Sequence, residues 1–304
     1  MKMKCPTNVT IKEVGPRDGL QNEPTFIETE DKIKWINMLS ESGFSYIEIT
    51  SFVHPKWIPA LADAVQVAKE IKRKPDVTYA ALVPNAKGLE RALAAEVDEV
   101  SVFMSASETH NKKNINKSID ETFVILDEVI QEAQKANKTT RGYVSTVFGC
   151  PYEHEVSIEK VIRVADTLFE SGIHELSLGD TVGVANPVQV ESVIETLLKR
   201  YPSDKLALHF HDTRGVALTN IYVALTMGIT TFDGAVGGLG GCPYAPGAAG
   251  NVTTEDLIYM LHGMEIETGV NEQRLLEAAM WIEDRIGKSL PSKNLRAFKG
   301  KKSM

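Results

Sequence analysis

The feature of this chain that most narrows its fold is an alternation, repeated eight times, of short apolar or β-branched runs with longer segments of helical spacing. Strands are expected near Val9–Val14, Tyr46–Thr50, Thr78–Val83, Glu99–Met104, Arg141–Val147, Glu175–Leu178, Leu206–His211 and Thr230–Ala235. Helices are expected over Glu28–Ser42, Leu61–Lys72, Ala86–Ala95, Ile119–Ala136, Ile158–Ser171, Pro187–Lys199, Val216–Met227 and Thr253–Gly263. Ser42-Gly43, Ser171-Gly172 and Met227-Gly228 each set a glycine where a helix hands over to a strand, the place for a left-handed cap. Eight successive βα units in roughly 250 residues suit an α/β fold of the closed (β/α)8 TIM-barrel kind. An open doubly wound sheet is disfavoured, because no Gly-x-Gly-x-x-Gly follows the first strand. An extra C-terminal helical segment is expected over Asn271–Gly287. Residues 1–287 then make a single TIM-barrel catalytic domain including that helix, and residues 288–304, rich in Lys, Ser and Gly, make a mobile tail.

In such a barrel the active site forms at the C-terminal ends of the strands, so the residues just past each strand are the ones to examine. The first strand leads into Gly15-Pro-Arg-Asp-Gly-Leu-Gln-Asn22, where Arg17 and Asp18 stand side by side between turn formers. Glu48 is an acid in the otherwise apolar second strand, Gly179-Asp180-Thr181 follows the sixth, and His209-Phe-His-Asp212 ends the seventh. After the eighth comes a glycine-rich run, Gly237 to Asn251, that carries Cys242. Side chains two apart on a strand share a side, so His209 and His211 can converge on one ion. The alternative is a pair of core histidines bonded to backbone. With Asp18 and Asn251 the set offers imidazole, carboxylate and amide-oxygen donors without thiolate. Such donors favour Mg2+ or Mn2+, although Zn2+ or Co2+ would compete on affinity.

Arg17 is expected to pair with Glu48 across neighbouring strands and, so oriented, to hold an oxygen that gains negative charge. Asp180 is either a turn residue or a site acid. Cys242, among glycines in a site-facing loop, is a candidate proton donor or nucleophile, against the plainer reading of an inert small residue. His54 and Lys56 follow the second strand and either meet an anionic part of a substrate or belong to a solvated loop.

A net charge of −8 provides no basic footprint, which excludes nucleic acid and an anionic membrane surface as expected partners. Three cysteines, Cys5, Cys150 and Cys242, form no even framework and point to a reducing compartment. No leader-like start, no run of eighteen apolar residues and no Ser-Lys-Leu ending is present, so the expected location is cytoplasmic.

These residues resemble the 3-hydroxy-3-methylglutaryl-CoA lyases. The resemblance runs from about Val9 to Ala278. It is carried by Val14-Gly-Pro-Arg-Asp-Gly-Leu-Gln-Asn-Glu23, Thr50-Ser-Phe-Val, Pro55-Lys-Trp, Lys112-Lys-Asn-Ile-Asn116, Arg141-Gly-Tyr-Val-Ser, Gly149-Cys-Pro-Tyr-Glu, Leu178-Gly-Asp-Thr, His209-Phe-His-Asp and Gly238-Leu-Gly-Gly-Cys-Pro-Tyr-Ala-Pro-Gly-Ala. It implies metal-dependent cleavage of 3-hydroxy-3-methylglutaryl-CoA to acetyl-CoA and acetoacetate, as in leucine degradation and ketone-body chemistry, with an acyl-CoA substrate and a homodimer. Position by position it implies Asp18, His209, His211 and Asn251 as metal ligands, Arg17 as stabiliser of the enolate oxygen and Cys242 as the thiol of proton transfer. Glu48 and Asp180 become further active-site acids, and His209 acquires a catalytic part beside its ligand role. The base that takes the hydroxyl proton stays open between Asp180 and His209. A rival is a condensing enzyme of the same superfamily, running related chemistry towards bond formation; such relatives typically carry a C-terminal regulatory region.

Overall fold

The computed structural model describes residues 5–241 and 250–302. Parallel strands β1 (Thr10–Glu13), β2 (Tyr46–Ser51), β3 (Thr78–Leu82), β4 (Glu99–Ser105), β5 (Thr139–Ser145), β6 (Glu175–Asp180), β7 (Leu206–Phe210) and β8 (Thr231–Gly234) pair in chain order and close into a barrel. The closing ladder sets Thr10 opposite Thr231 and Glu13 opposite Gly234. The helices are α1 (Thr29–Glu41), α2 (Ala64–Glu70), α3 (Ala86–Ala94), α4 (Glu108–Ile115), α5 (Ile119–Lys135), α6 (Ile158–Ser171), α7 (Pro187–Leu198), α8 (Ala217–Thr226), α9 (Thr254–Gly263), α10 (Glu272–Ile286) and α11 (Lys293–Lys302). This is the (β/α)8 TIM barrel that the alternation predicts, with C-terminal helices added.

Local chemistry explains the hand-overs. Gly43, Gly172 and Gly228 take φ of 93°, 101° and 91°, the left-handed conformation that a Cβ opposes. At Gly43 the fit is also close, since a Cβ there would stand 2.3 Å from the Gly269 carbonyl oxygen. Ser118 and Glu121 open α5 with a reciprocal capping box. Helix α4 escapes a search for apolar periodicity because its sequence, Glu-Thr-His-Asn-Lys-Lys-Asn-Ile, has almost none. Its ends are set by polar groups instead, with Ser107 capping the start and Asn116 left-handed at the end.

The expectation of a mobile tail over 288–304 does not hold for residues 288–302. Leu290 and Leu295 are buried in the main core, and each such burial contributes roughly 1.5–3 kcal/mol. Asp256 of α9 accepts from the Ser292 hydroxyl (3.2 Å) and from the backbone N–H groups of Lys293 (3.1 Å) and Asn294 (2.7 Å). It thereby caps α11 from another helix. Composition hid this because two leucines and a distant carboxylate do the anchoring.

Two interiors result from the period-2 alternation of the strands. Outward positions such as Ile11, Ile47, Ile49, Val100, Leu176, Leu208 and Phe232 pack against the helices as an apolar core. Inward positions include a set of buried charges beside apolar groups such as Leu82 and Phe103, where branched apolar layers fill most such barrels. Lys12 pairs with Glu175 at 2.8 Å and Glu99 at 4.0 Å. Arg141 donates from Nε to Glu175 (2.6 Å) and from Nη2 to Asp233 (2.7 Å).

Candidate active site

At the C-terminal end of β1 the chain winds into one wide helical turn, Gly15–Gly19, where the Val14 carbonyl accepts from the N–H groups of Asp18 (2.7 Å) and Gly19 (3.3 Å). Pro16 suits the start of such a turn, where its missing N–H is not needed. The turn carries Arg17 and Asp18 into the barrel mouth. Arg17 is buried; its Nε donates to Glu48 Oε2 (2.6 Å) and its Nη1 to Asp18 Oδ1 (2.5 Å). Glu48 sits where β2 slips register against β3, with Ile49 the extra residue of a bulge. Burial opposes the Arg17 charge, but Glu48 and Asp18 outweigh it and raise its pKa further above the ordinary value. Among the described residues no partner engages Nη2, and Arg17 lines the cavity. The expected Arg17–Glu48 pair is therefore present, and it leaves one edge of the guanidinium for a ligand.

His209 and His211 leave β7 on the inward side, with ring centroids 5.4 Å apart, while Phe210 between them packs on Phe148. Donor atoms of Asp18, His209 and His211 all lie within 4.8 Å of one another. His209 Nδ1 stands 3.1 Å from Asp233 Oδ2, and its Nε2 points towards Asp18 Oδ2 at 3.8 Å. A carboxylate on Nδ1 holds the proton there and turns the Nε2 lone pair to the cluster. Burial works against a charged His209, but the Asp233 hydrogen bond and the charges of Asp18 and Asp233 raise its pKa. Burial and the neighbouring His209 push His211 down to about 4, so its imidazole is neutral at pH 7. Burial alone would raise Asp18, yet Arg17, His209 and His211 hold it at about 2. His211 Nδ1 is buried without a hydrogen-bond partner among the described residues. An ionised carboxylate, two imidazoles and an orphaned ring nitrogen form a donor set that fits a divalent cation.

Asn251 reaches the cluster through backbone pairing. His211 and Asn251 form an antiparallel bridge, fixed by Asp212 N–H to the Gly250 carbonyl (3.0 Å) and Val252 N–H to the Phe210 carbonyl (2.9 Å). Its amide nitrogen donates to Asp18 Oδ2 (2.7 Å) and to the Leu239 carbonyl (3.0 Å). Asn251 thus orients one member of the triad.

Asp180 is placed differently. On β6, Ser177 points inward and donates to Asp233 (3.0 Å), so alternation turns Gly179 and Thr181 to the cavity and Asp180 away. Its two oxygens accept from the N–H groups of Val184 (2.9 Å) and Ala185 (3.0 Å). Burial raises its pKa to about 6 against those two bonds. It organises the loop after β6, as a turn residue does. Cys242 lies outside the described residues.

A cavity of about 830 Å³ opens over this constellation, lined at depth by Arg17, Asp18, Tyr143, His209 and His211. His54, Trp57 and the lysines Lys112, Lys113 and Lys117 also line it. Lys56 is not among the lining residues; its N–H donates to His54 Nδ1 (3.2 Å). The sequence reading assigned no role to Asp233, Arg141 or Tyr143, which support the site from below. The Tyr143 hydroxyl accepts from Arg141 Nη1 (2.5 Å) and donates to Glu48 Oε2 (3.3 Å). The signal was available, since Asp233 is an acid in an apolar strand just as Glu48 is. Asp233→Asn should weaken divalent-cation binding by roughly 10–100-fold. Titration with Mn2+ would check this, and unchanged affinity would remove Asp233 as the support of His209.

The chain matches the family model described as HMGL-like over residues 8–282. It is 67% identical over 297 residues to hydroxymethylglutaryl-CoA lyase YngG of Bacillus subtilis, covering 98% of this chain and 99% of that protein. It is 50% identical over 292 residues to the human mitochondrial hydroxymethylglutaryl-CoA lyase, covering 96% and 90%. The crystal structure of a Bacillus subtilis HMG-CoA lyase superposes with a TM-score of 0.96 at 67% identity, covering 97% of this chain and 99% of that one. An HMG-CoA lyase from Acinetobacter baumannii, solved with coenzyme A and 3-methylmalate, superposes with a TM-score of 0.92 at 42% identity over 95% of each chain.

Proposed function

The chain belongs to the HMGL-like family of hydroxymethylglutaryl-CoA lyases and is a divalent-cation-dependent carbon–carbon lyase that cleaves 3-hydroxy-3-methylglutaryl-CoA to acetyl-CoA and acetoacetate; we propose that Asp18, His209, His211 and Asn251 hold its cation and that Arg17 stabilises the developing enolate. The observation that carries the reading is one cavity in which a carboxylate-oriented arginine adjoins an Asp–His–His cluster. Mg2+ or Mn2+ is the proposed ion, matching carboxylate and imidazole donors without thiolate. When bound, a divalent ion polarises the substrate's hydroxyl and carbonyl oxygens and lowers the cost of removing the hydroxyl proton.

Cleavage breaks the C2–C3 bond, its electron pair passing to C2 as a thioester enolate while C3 becomes the ketone of acetoacetate. That enolate is what the site has to stabilise. Arg17 is already aimed by Glu48 and Asp18, so it stabilises the oxygen without reorganising at the moment of reaction. Tyr143 and Glu48 hold the guanidinium from below. His209 and Asp180 are the proposed candidates for moving the hydroxyl proton; with His209 Nδ1 on Asp233 and Nε2 turned to the cation, and Asp180 turned to the loop amides, either would act through an intervening group. Cys242 is the proposed donor of the proton that completes acetyl-CoA, on resemblance alone.

An acyl-CoA is the substrate, and the lysines of α4 and Lys117 suit the phosphates of its nucleotide end. Leucine degradation is the proposed setting and a homodimer the proposed assembly. The proposed location is cytoplasmic, as the name of a rat relative 50% identical over 292 residues states for that protein. The test is release of acetoacetate and acetyl-CoA from 3-hydroxy-3-methylglutaryl-CoA by purified protein with Mg2+ or Mn2+. Equal amounts of both products are expected; absence of release with either ion would overturn the assignment and direct the assay to condensation of acetyl-CoA with 2-oxo acids.

A further inference from the structure

Behind the site stand two buried carboxylates with no part in the chemistry above. Glu13, the last residue of β1, faces the outer side of the barrel and is fully buried. Its Oε1 accepts from the N–H groups of Gly15 (2.8 Å) and Val236 (3.0 Å), and its Oε2 from the Thr254 hydroxyl (2.7 Å). Glu255, in the first turn of α9 and also fully buried, accepts with both oxygens from the Gly237 N–H (2.9 and 3.0 Å). The consecutive amides of Val236 and Gly237 are thus divided between two acids, and Gly237 and Gly238 follow with φ of 68° and 69°.

What these acids hold is the frame of the ligand cluster. Gly15 opens the turn that carries Arg17 and Asp18. The turn Val236–Gly238 leads to Leu239, whose carbonyl accepts from the same Asn251 nitrogen that donates to Asp18. The two turns touch, since a Cβ on Gly19 would stand 2.8 Å from Leu239 Cβ. One oxygen of Glu13 therefore bridges the two backbone segments whose relative position decides where Asp18 lies with respect to Asn251.

We propose that Glu13 is a positioning residue of the lyase site, which locks the Arg17–Asp18 turn against the Val236–Gly238 turn and so assembles the cation ligands, with Glu255 as a second grip on the same backbone. The proposal rests on the reading of Asp18, His209, His211 and Asn251 as the cation site. Replacing Glu13 by an apolar residue would strand two backbone donors and a hydroxyl in a dry interior, a cost that falls on those turns. Burial pushes Glu13 up to about 7 against its bonds to Thr254, Val236 and Gly15, and pushes Glu255, beside Glu13 and Asp256, up to about 8. A neutral acceptor would then serve. In Glu13→Gln the amide oxygen can accept from Gly15 and Val236 while its NH2 donates to Thr254 Oγ1. In Glu13→Asp the side chain is one methylene too short to bridge both amides.

The experiment measures Mn2+ affinity by direct titration and kcat and KM for cleavage in the wild type, Glu13→Asp and Glu13→Gln. Glu13→Asp should bind Mn2+ about tenfold more weakly and lose about tenfold in kcat with KM within about threefold, and Glu13→Gln should restore most of both. Wild-type Mn2+ affinity in Glu13→Asp, or an equal loss in both variants, would overturn the proposal. A wild type that binds Mn2+ without cleaving substrate would defeat the lyase reading alone, because the Mn2+ comparison still decides the role of Glu13.

Discussion

Arg17→Gln should lower kcat for cleavage by about 10²–10³-fold while KM changes by less than about threefold. The reasoning is geometric. Glu48 and Asp18 hold Nε and Nη1 at 2.6 and 2.5 Å, so the guanidinium is fixed before substrate arrives and its benefit is realised only as the enolate charge develops. Gln is planar but ends near the position of the arginine Nε, and it carries no charge and only one NH2. The substitution also leaves Glu48 buried beside an uncharged neighbour; Glu48 Oε1 already lacks a hydrogen-bond partner among the described residues. Melting temperature should therefore be read alongside, to separate lost chemistry from lost fold. A variant with kcat near wild type and a raised KM would make Arg17 a binding residue and dismiss it as the enolate stabiliser.

The second large effect concerns the ion. Chelation should reduce cleavage by at least about 10³-fold, with recovery on adding Mg2+ or Mn2+, and His211→Ala should lose at least about 10²-fold in Mn2+ affinity. The Asp18, His209 and His211 donor atoms lie within 4.8 Å of one another, and His211 stays neutral because burial and His209 hold its pKa at about 4. Removing one imidazole leaves a site with too few strong donors, whereas the barrel should stay folded, because His211 lies just beyond the end of β7. Full activity after exhaustive chelation would sink the cation site. Retained Mn2+ affinity in His211→Ala would instead remove that residue from the ligand set.

Much of this was legible in the chain. The strand–helix alternation, with glycine at several hand-overs, is local information, and a barrel built of successive neighbours needs little else. The His209 and His211 pair was readable because a period of two places alternate strand residues on one side, and Asp18 because it follows directly on the end of the first strand. Asp180 shows the limit of that logic. A shift of one position along β6 separates the cavity-facing Gly179 and Thr181 from an outward carboxylate, and only the partners of Ser177 reveal the parity. Helix α11 was hidden for a different reason: its cap, Asp256, comes from 36 residues before Ser292. Arg141 and Asp233 meet across 92 positions, and one sequence contains no trace of such a pairing.

The polar column inside the barrel has a consequence for valence. Among the described residues, the inward side chains include three basic groups, Lys12, Arg17 and Arg141, and five acidic ones, Asp18, Glu48, Glu99, Glu175 and Asp233. With both imidazoles neutral, as the proposed ligation would require, two formal negative charges remain uncompensated in a low-dielectric interior. A dication brings this column to electroneutrality, while a monovalent ion would leave it in deficit and a trivalent ion in excess. On the proposed ligand set, selection for a doubly charged ion would rest on the whole barrel, down to Lys12 at its far end, as well as on the atoms that touch the ion.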